Sequence, residues 1–417
     1  MRTAKSLLIA TLSLAIPVIV ITLADAASPA TAESSESVLY NFKGGRDGSN
    51  PMGALVADRA GNLYGTTAEG GSSNCPTGCG TVFRLTPPAA QGGSWTETVL
   101  YRFTTGSDGA APESNLIFDA AGSLYGTTAG GGDASSDGTV FRLTPPSAPG
   151  GAWSETVLYR FTGHSDGKVP LAGLVFDQNG NLYGTTVFGG TTSAGIVFQL
   201  TPQATEGGAW TETVLHTFGH GNDGLDPEAG LIFDNRGALY GTTITGTVFK
   251  LSPPSWTESV LFNFTGGGNN GSWPCALIFR KGSLYGLSRL GGSLANTGTA
   301  FQLSPAGGGT WTETALYSFT GGDDGGEPCG TLTADQAGNL YGTASGNGLN
   351  IPGTVFQLTP PSAPGGAWTE TTLHKFGGDR DGVAPLAGVI FGKGGALYGT
   401  TSGGGSSGRG TVFRVAP

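Results

Sequence analysis

The chain has 417 residues, 12% of them charged, and its 20 Lys and Arg against 30 Asp and Glu give a formal net charge of −10. This balance argues against a nucleic-acid-binding protein, which needs a basic surface to neutralise phosphates, and against recruitment to an anionic membrane by a polybasic segment. The 76 Gly and 24 Pro residues approach the content of low-complexity, disordered chains. They recur at fixed places between apolar segments, however, which indicates turns in a folded repeat protein.

The first residues predict export. Arg2 and Lys5 precede an apolar run over residues 7–23, and an Ala-Asp-Ala segment follows. A charged start, an apolar core and small residues at the end are the features of a secretory signal peptide. We therefore predict a signal peptide over residues 1–26, with an alternative cleavage after residue 32, and a secreted or periplasmic mature protein without a membrane span. An uncleaved membrane anchor is the alternative, because the run is close to the minimum length for a span.

Four cysteines lie in the mature chain. Cys75 and Cys79 share one Gly-rich loop, and we predict a disulfide that closes it, since export permits disulfides. A zinc site is the alternative, but such a site takes about four ligands and the chain has only 4 His. Cys275 and Cys329 occupy equivalent places in neighbouring repeats, which repeat copying explains without any chemistry.

One sequence unit recurs seven times along the mature chain, which is the signature of a repeat architecture. An apolar segment and a short turn are followed by Leu-Tyr-Gly, a Gly-rich loop, a segment such as Gly138 to Leu143, a Pro-rich connection, and a segment such as Trp153 to Phe161. A loop containing Asp-Gly then leads to the next copy. The tyrosines of the seven Leu-Tyr-Gly motifs are Tyr64, Tyr125, Tyr183, Tyr240, Tyr285, Tyr341 and Tyr398.

The unit predicts an all-β fold with four short strands per repeat, because its segments are rich in β-branched and aromatic residues and are separated by Gly, Pro and Asp. Apolar residues on both faces of the segments predict sheets covered on both sides, as in stacked blades. We predict a single closed seven-bladed β-propeller over residues 38–417. The N-terminal strand 38–42 should pair with the C-terminal strand 412–415 and close the ring, hiding two sheet edges. A β-solenoid is the competing architecture.

The repeated Leu-Tyr-Gly-Thr-Thr, with a Gly-rich loop and Gly-Thr-Val-Phe after it, resembles the GloVer tandem repeat of exported bacterial proteins. The resemblance covers nearly the whole mature chain. It implies a propeller-like fold and export, but it implies no activity and no catalytic residue.

An acidic residue recurs in the loop between consecutive units, with Asn at one of the seven places. We predict that these side chains form a ring of oxygen donors around one mouth of the central channel, where Ca²⁺, which prefers such ligands, would bind. The alternative is a structural one, since Asp-Gly is a favoured turn pair, and then no cofactor is needed. The residues are Asp47, Asp108, Asp166, Asp223, Asn270, Asp324 and Asp381.

Two further repeated residues have structural explanations. Six tryptophans head the fourth strands, where we interpret them as packing anchors, with a stacking platform for sugars as the alternative. A glutamate recurs in all seven units, where a charge on an outermost strand discourages edge-to-edge pairing. These glutamates are Glu36, Glu97, Glu155, Glu212, Glu258, Glu313 and Glu370.

The fifth unit departs most from the repeat. It alone contains Trp273, Arg280, Lys281 and Arg289, and we predict that this cationic, aromatic patch binds an acidic sugar or a carboxylate. Drift of one repeat is the alternative explanation. No nucleophile motif, metal-binding helix or His cluster is present in the sequence, so we assign no catalytic residue.

The function that the sequence favours is an exported, monomeric, non-catalytic module that binds a glycan or an envelope protein, or serves as a rigid scaffold. The alternative is an extracellular propeller enzyme, either a polysaccharide lyase or a calcium-dependent hydrolase of the lactonase type. Fold alone does not decide between them.

Overall fold

The described residues form seven four-stranded antiparallel sheets, arranged as the blades of one closed propeller. The computed structural model describes residues 36–417, except residues 91, 149, 204–209, 267–270, 293–295, 348–349, 364 and 379. The predicted signal peptide and Asn270 therefore lie outside the described residues. Within the described part of the chain, no helix is long and apolar enough to span a membrane.

In blades 1 to 6 the four strands follow one another in chain order from the channel outwards, and the first three strands of blade 7 do the same. The first strands are Val56–Ala57, Ile117–Phe118, Val175–Phe176, Ile232–Phe233, Gly271–Arg280, Thr333–Ala334 and Ile390–Phe391. The second strands are Leu63–Thr67, Leu124–Thr128, Leu182–Thr186, Leu239–Thr242, Ser283–Gly291, Leu340–Ala344 and Leu397–Thr401. The third strands are Thr81–Thr86, Thr139–Thr144, Ile196–Thr201, Thr247–Ser252, Thr299–Gly307, Thr354–Thr359 and Thr411–Val415. The fourth strands of blades 1 to 6 are Thr96–Arg102, Ser154–Arg160, Thr211–Thr217, Thr257–Asn263, Thr310–Ser318 and Thr369–Lys375. A 3₁₀ helix, Lys393–Gly395, lies in the turn of blade 7.

The N-terminal strand completes the last blade, as predicted. Glu36–Asn41 pairs antiparallel with Thr411–Val415, with Val38 opposite Phe413 and Tyr40 opposite Val412. The C-terminal third strand would otherwise expose its unpaired N–H and C=O groups at a sheet edge. The prediction of a closed seven-bladed ring is confirmed.

The glycine of each Leu-Tyr-Gly motif makes room for a phenylalanine of the third strand. A Cβ atom on Gly65 would lie 2.7 Å from Phe83 Cζ and 3.0 Å from Leu55 Cδ2. Phe83 is fully buried, and the same arrangement recurs at Gly126 with Phe141. Glycine is therefore required here by close packing in the middle of a strand.

Consecutive blades are joined by pairs of phenylalanines. Phe103, which follows the fourth strand of blade 1, meets Phe141 in the third strand of blade 2 with ring centroids 5.1 Å apart. Phe42, which follows the strand that completes blade 7, makes the same contact with Phe83 of blade 1 at 5.1 Å, so the last and first blades are joined like the others. Edge-to-face pairs of this kind add about 0.5–1.5 kcal/mol to the gain from burial. The remaining pairs among the described residues are Phe161–Phe198, Phe218–Phe249, Phe264–Phe301, Phe319–Phe356 and Phe376–Phe413.

A second joint links blades next to the channel. The hydroxyl of Thr66 in blade 1 donates a hydrogen bond to the carbonyl of Ser114 in blade 2, at 2.9 Å. Leu287 stands at the equivalent position of blade 5 and offers no such donor. The other threonines of this kind in the described structure are Thr127, Thr185, Thr242, Thr343 and Thr400.

A disulfide connects the two blades at the joint that lacks this hydrogen bond. Cys275 of blade 5 and Cys329 of blade 6 are bonded, with Cα atoms 5.2 Å apart. The interpretation that these cysteines are copies without chemistry is therefore wrong, because equivalent positions of neighbouring blades come within bonding distance beside the channel. Cys75 and Cys79 form the second disulfide, with Cα atoms 5.3 Å apart.

Replacing Phe42 with alanine should weaken the closure of the ring. The side chain is fully buried, so Phe42→Ala should lower the free energy of unfolding by about 3–5 kcal/mol in guanidinium titrations. Ser37→Ala, on the exposed face of the same closing strand, should change it by less than about 0.5 kcal/mol. Equal effects of the two substitutions would contradict a closure that depends on this contact.

The two disulfides should differ in how strongly they stabilise the protein. Cys275 and Cys329 are 54 residues apart, whereas Cys75 and Cys79 are 4 apart. A longer loop restricts the unfolded chain more, so the double alanine variant of the first pair should lose about 4 kcal/mol and that of the second about 2 kcal/mol. Unfolding curves of the two variants measure this order, and a reversed order would contradict it.

Candidate functional site

Each blade begins with a proline whose preceding residue has a left-handed backbone. In blade 2, the Ala111 N–H donates to the Cys79 carbonyl of blade 1 at 2.9 Å, and the Ala111 carbonyl accepts from the Ala129 N–H at 2.9 Å. A positive φ in a residue other than glycine is strained, and these bonds hold it between two blades. The residues are Asn50 (φ 57°), Ala111 (53°), Val169 (57°), Asp226 (56°), Trp273 (58°), Glu327 (54°) and Ala384 (52°).

The residue after each of these prolines lines a cavity at one mouth of the central channel. The cavity has a volume of about 200 Å³. The bends at the prolines fix the backbone of this ring, while the side chains on it are of four types, Met, Glu, Leu and Cys. We call these seven residues the mouth ring. They are Met52, Glu113, Leu171, Glu228, Cys275, Cys329 and Leu386.

Two carboxyl groups of the mouth ring, Glu113 and Glu228, have raised pKa values. Burial raises the pKa of Glu113, and the charges of Glu228 and Glu69 raise it further. Burial and the charge of Asp226 raise the pKa of Glu228, against the opposing effect of Arg289. The mouth therefore gathers carboxyl groups from blades that are not neighbours.

An arginine and a tryptophan of blade 5 lie at the same mouth. Arg289 donates from Nε and Nη2 to Glu327 Oε2 of blade 6, at 3.1 and 3.0 Å. Its guanidinium lies 5.1 Å from the centroid of the Trp273 ring, and Trp273 lines the cavity. A cation over the face of a tryptophan is a favourable contact. The structure thus brings together Trp273 and Arg289 of the predicted cationic patch.

The other two residues of that patch lie at the opposite end of blade 5. Arg280 ends the first strand of this blade, roughly 20 Å along the strand from Trp273 at the rise of an extended chain. Its Nη2 donates to the Asp335 carbonyl of blade 6 at 2.8 Å, and Lys281 follows it in the turn. The four residues therefore do not form one site.

The aspartates predicted as a metal-binding ring are instead bonded to their own loops. Asp108 accepts hydrogen bonds from the Tyr101 hydroxyl at 3.0 Å and from the Thr104 N–H and hydroxyl at 3.0 and 2.8 Å. His216 and His374 take the place of this tyrosine for Asp223 and Asp381. Among the described residues, no three or more His, Cys, Asp or Glu are grouped so that they could hold a metal ion. The turn role accounts for Asp47, Asp108, Asp166, Asp223, Asp324 and Asp381.

The repeated glutamates of the fourth strands are half-buried. Glu97 lies near Asp47 of the preceding joint, and its Oε1 is buried without a hydrogen-bond partner in the described structure. Burial, followed by the charge of Asp47, raises the pKa of Glu97 to about 7. The pKa values of Glu36, Glu155, Glu212 and Glu370 are likewise raised to about 7, and burial is the main cause in each. These half-buried carboxyl groups therefore make the stability depend on pH.

The tryptophans that head the fourth strands pack against the preceding blade. The ring centroids of Trp95 and Tyr398 are 6.0 Å apart, and those of Trp256 and Tyr183 are 5.5 Å apart. This contact agrees with the interpretation as packing anchors.

The protein should be more stable at mildly acidic than at alkaline pH. The folded state raises the pKa of Glu97 from 4.5 to about 7, so the folded protein binds more protons than the unfolded chain between these values. The stability that this provides is complete below pH 4.5 and is lost as the pH rises through 7. Asp58, Asp177, Asp234 and Asp335 have lowered pKa values and act oppositely, losing their contribution as the pH falls below their usual range.

Melting curves recorded between about pH 5 and pH 8 measure this dependence. A variant carrying Glu97→Gln, Glu155→Gln and Glu212→Gln should show a flatter decline of melting temperature across this range. Thr98→Ala, an exposed change on the same strand as Glu97, should keep the wild-type slope. An unchanged slope in the triple variant would show that these glutamates do not titrate as described.

Comparisons with known proteins agree with the fold. A family model described as the Gloeobacter/Verrucomicrobia repeat matches residues 27–247 and 208–413. No curated protein matches the chain. The extracellular domain of a proposed one-component system from B. thetaiotaomicron is similar in structure, with 13% identity and a TM-score of 0.51, over 88% of this chain and 39% of that chain. A proposed 6-phosphogluconolactonase from Bacteroides uniformis is 16% identical with a TM-score of 0.48, over 77% of this chain and 84% of that one.

Proposed function

The chain belongs to the Gloeobacter/Verrucomicrobia repeat family, and on that premise we propose that it is an exported, non-catalytic binding module whose ligand site is the channel mouth. One observation carries this proposal. The recurring phenylalanines and tryptophans pack between blades and the recurring aspartates bond their own turns, whereas the mouth ring presents several types of side chain on a fixed backbone. Concave sites with a few converging polar groups are where proteins bind small ligands.

The charges at the mouth favour a ligand that carries hydroxyl groups or a positive charge. Glu113 and Glu228 reach the cavity from two blades, and Arg289 is already paired with Glu327. The acidic sugar expected for a free cationic patch is therefore less well matched than a neutral or basic group. A cavity of about 200 Å³ suits one sugar ring or one side chain, so the ligand is the end of a glycan or a basic residue of an envelope protein.

Export is supported by the two disulfides, because disulfides persist in oxidising compartments. The predicted signal peptide is the second support, from the sequence. A monomer remains our expectation for the oligomeric state.

A catalytic role has one observation in its favour. Glu113 and Glu228 line one cavity, and burial, followed by the charge of Glu228, raises the pKa of Glu113. Paired carboxyl groups act as general acid and base in glycan-cleaving enzymes. An enzyme of this kind would cleave the glycan that the mouth binds.

Substituting the mouth carboxyl groups should weaken ligand binding. A glycan array and a pull-down from envelope extract would identify the ligand, and Glu113→Gln and Glu228→Gln should each reduce its affinity about tenfold, the worth of one charge-assisted hydrogen bond. Glu155→Gln, on an outer strand, is the matched control and should bind normally.

The same experiment separates the two functions. Release of product from a bound glycan, lost in Glu113→Gln, would establish the enzyme in place of the binding module. A ligand that binds all three variants equally would place the site elsewhere than the mouth.

A further inference from the structure

A groove lies between blades 3 and 4 on the face opposite the channel mouth. Blade 4 connects its third and fourth strands through residues 253–256, where blade 2 uses residues 145–153. The shorter connection brings Pro253 and Pro254 to one wall of the groove, with Trp256 after them in a left-handed conformation at φ 53°. The groove has a volume of about 870 Å³, several times that of the mouth cavity.

Side chains that can hydrogen-bond in several ways surround this groove. Gln178 and Asn179 of blade 3 and Asn235 of blade 4 are exposed in the turns between first and second strands and line it. Within the described structure, their amide groups bond to no other side chain. An amide both donates and accepts hydrogen bonds, as a sugar hydroxyl requires. The equivalent turn of blade 2 has Ala120 and Ala121.

The floor of the groove is aromatic and fixed. Trp256 packs on Tyr183 with ring centroids 5.5 Å apart. The Tyr183 hydroxyl donates to Asp177 Oδ2 at 3.1 Å and accepts from Gln199 Nε2 at 2.8 Å. Trp256 is partly exposed and offers an apolar face to a ligand, while the buried Tyr183 against which it packs leaves no uncompensated polar group.

The charges of the groove are mixed. Burial works to raise the pKa of Asp177, but hydrogen bonds from Asn181 outweigh it and lower that pKa, so the carboxylate is ionised at neutral pH. Burial also works to raise the pKa of Asp234, but backbone hydrogen bonds from Ala238 and Arg236 lower it. Arg236, exposed on the rim, supplies one positive charge. The groove therefore carries two negative charges and one positive charge, and this net negative charge would repel an anionic polymer.

We propose that this groove binds a segment of a neutral polysaccharide. Its aromatic floor, its three free amides and its flanking charged groups match the alternation of apolar ring faces and hydroxyl edges along a sugar chain. Its volume fits a few consecutive sugars, which distinguishes it from the small cavity at the mouth. The site is independent of the function proposed for the mouth, because the two lie at opposite ends of the blades.

Direct binding of defined oligosaccharides tests the proposal on the mature chain. Cellohexaose, laminarihexaose and maltohexaose are the neutral probes, and hexagalacturonate is the anionic one, with tryptophan fluorescence and calorimetry as readouts. We expect at least one neutral probe to bind with a dissociation constant of about 1 mM or lower. We expect hexagalacturonate to bind more weakly than that probe.

Variants that copy other blades locate the binding. Asn179→Ala with Asn235→Ala removes two amides and should weaken binding about fivefold to tenfold. Replacing residues 253–256 with the sequence of residues 145–153 should fill the groove and abolish binding. Gln336→Ala, in the same turn of blade 6 but outside the groove, is the matched control and should bind as the wild type does.

The proposal would be overturned by failure of all three neutral probes to bind at about 10 mM, a concentration that detects weak sites. Stronger binding of hexagalacturonate than of every neutral probe would also overturn it. So would full affinity in the double variant, or an affinity lowered by Glu113→Gln, which would assign the bound sugar to the channel mouth.

Discussion

The structure depends on one steric relationship, the contact between the glycine of the second strand and the phenylalanine of the third. Because Gly65 has no Cβ, the ring of Phe83 lies directly over its backbone, and from there it meets the phenylalanine of the preceding blade. The blades are thus joined through their interiors, and each joint uses the same three side-chain positions. At the point of closure the last blade offers this contact to the first through Phe42.

The sequence was sufficient to predict this fold because its signal is repeated. Seven copies of Leu-Tyr-Gly and four apolar segments per copy predict the blades, and the complementary terminal strands predict their closure. The candidate site was harder to predict, since it depends on which side chains converge from different blades. Glu113 and Glu228 belong to blades 2 and 4, with one blade between them, and nothing in their local sequence marks them as neighbours.

The features of the site that the sequence did not reveal have equally physical causes. The aspartates follow a favoured turn pattern, and the structure uses their carboxylates to bond their own turns, which the pattern alone does not distinguish from metal binding. Arg280 and Arg289 belong to the same repeat, but a long strand of blade 5 separates Arg280 from Trp273 and only Arg289 returns to the mouth. The disulfide between Cys275 and Cys329 could have been inferred from the sequence. Leu287 replaces the repeated threonine of blade 5, so the joint between blades 5 and 6 lacks the hydrogen bond found at the other joints in the described structure.

The completion of the last blade by the first strand also sets an order for folding. Residues 36–41 pair with residues 411–415, so the contact with the greatest sequence separation is also the one that seals the circle. Contacts this distant form late, since the intervening chain must first be brought together. Until residues 411–415 have been synthesised and folded, residues 36–41 have no strand to pair with, and the first six blades form an open array with exposed sheet edges. The period before sealing is when the nascent protein most needs protection from aggregation.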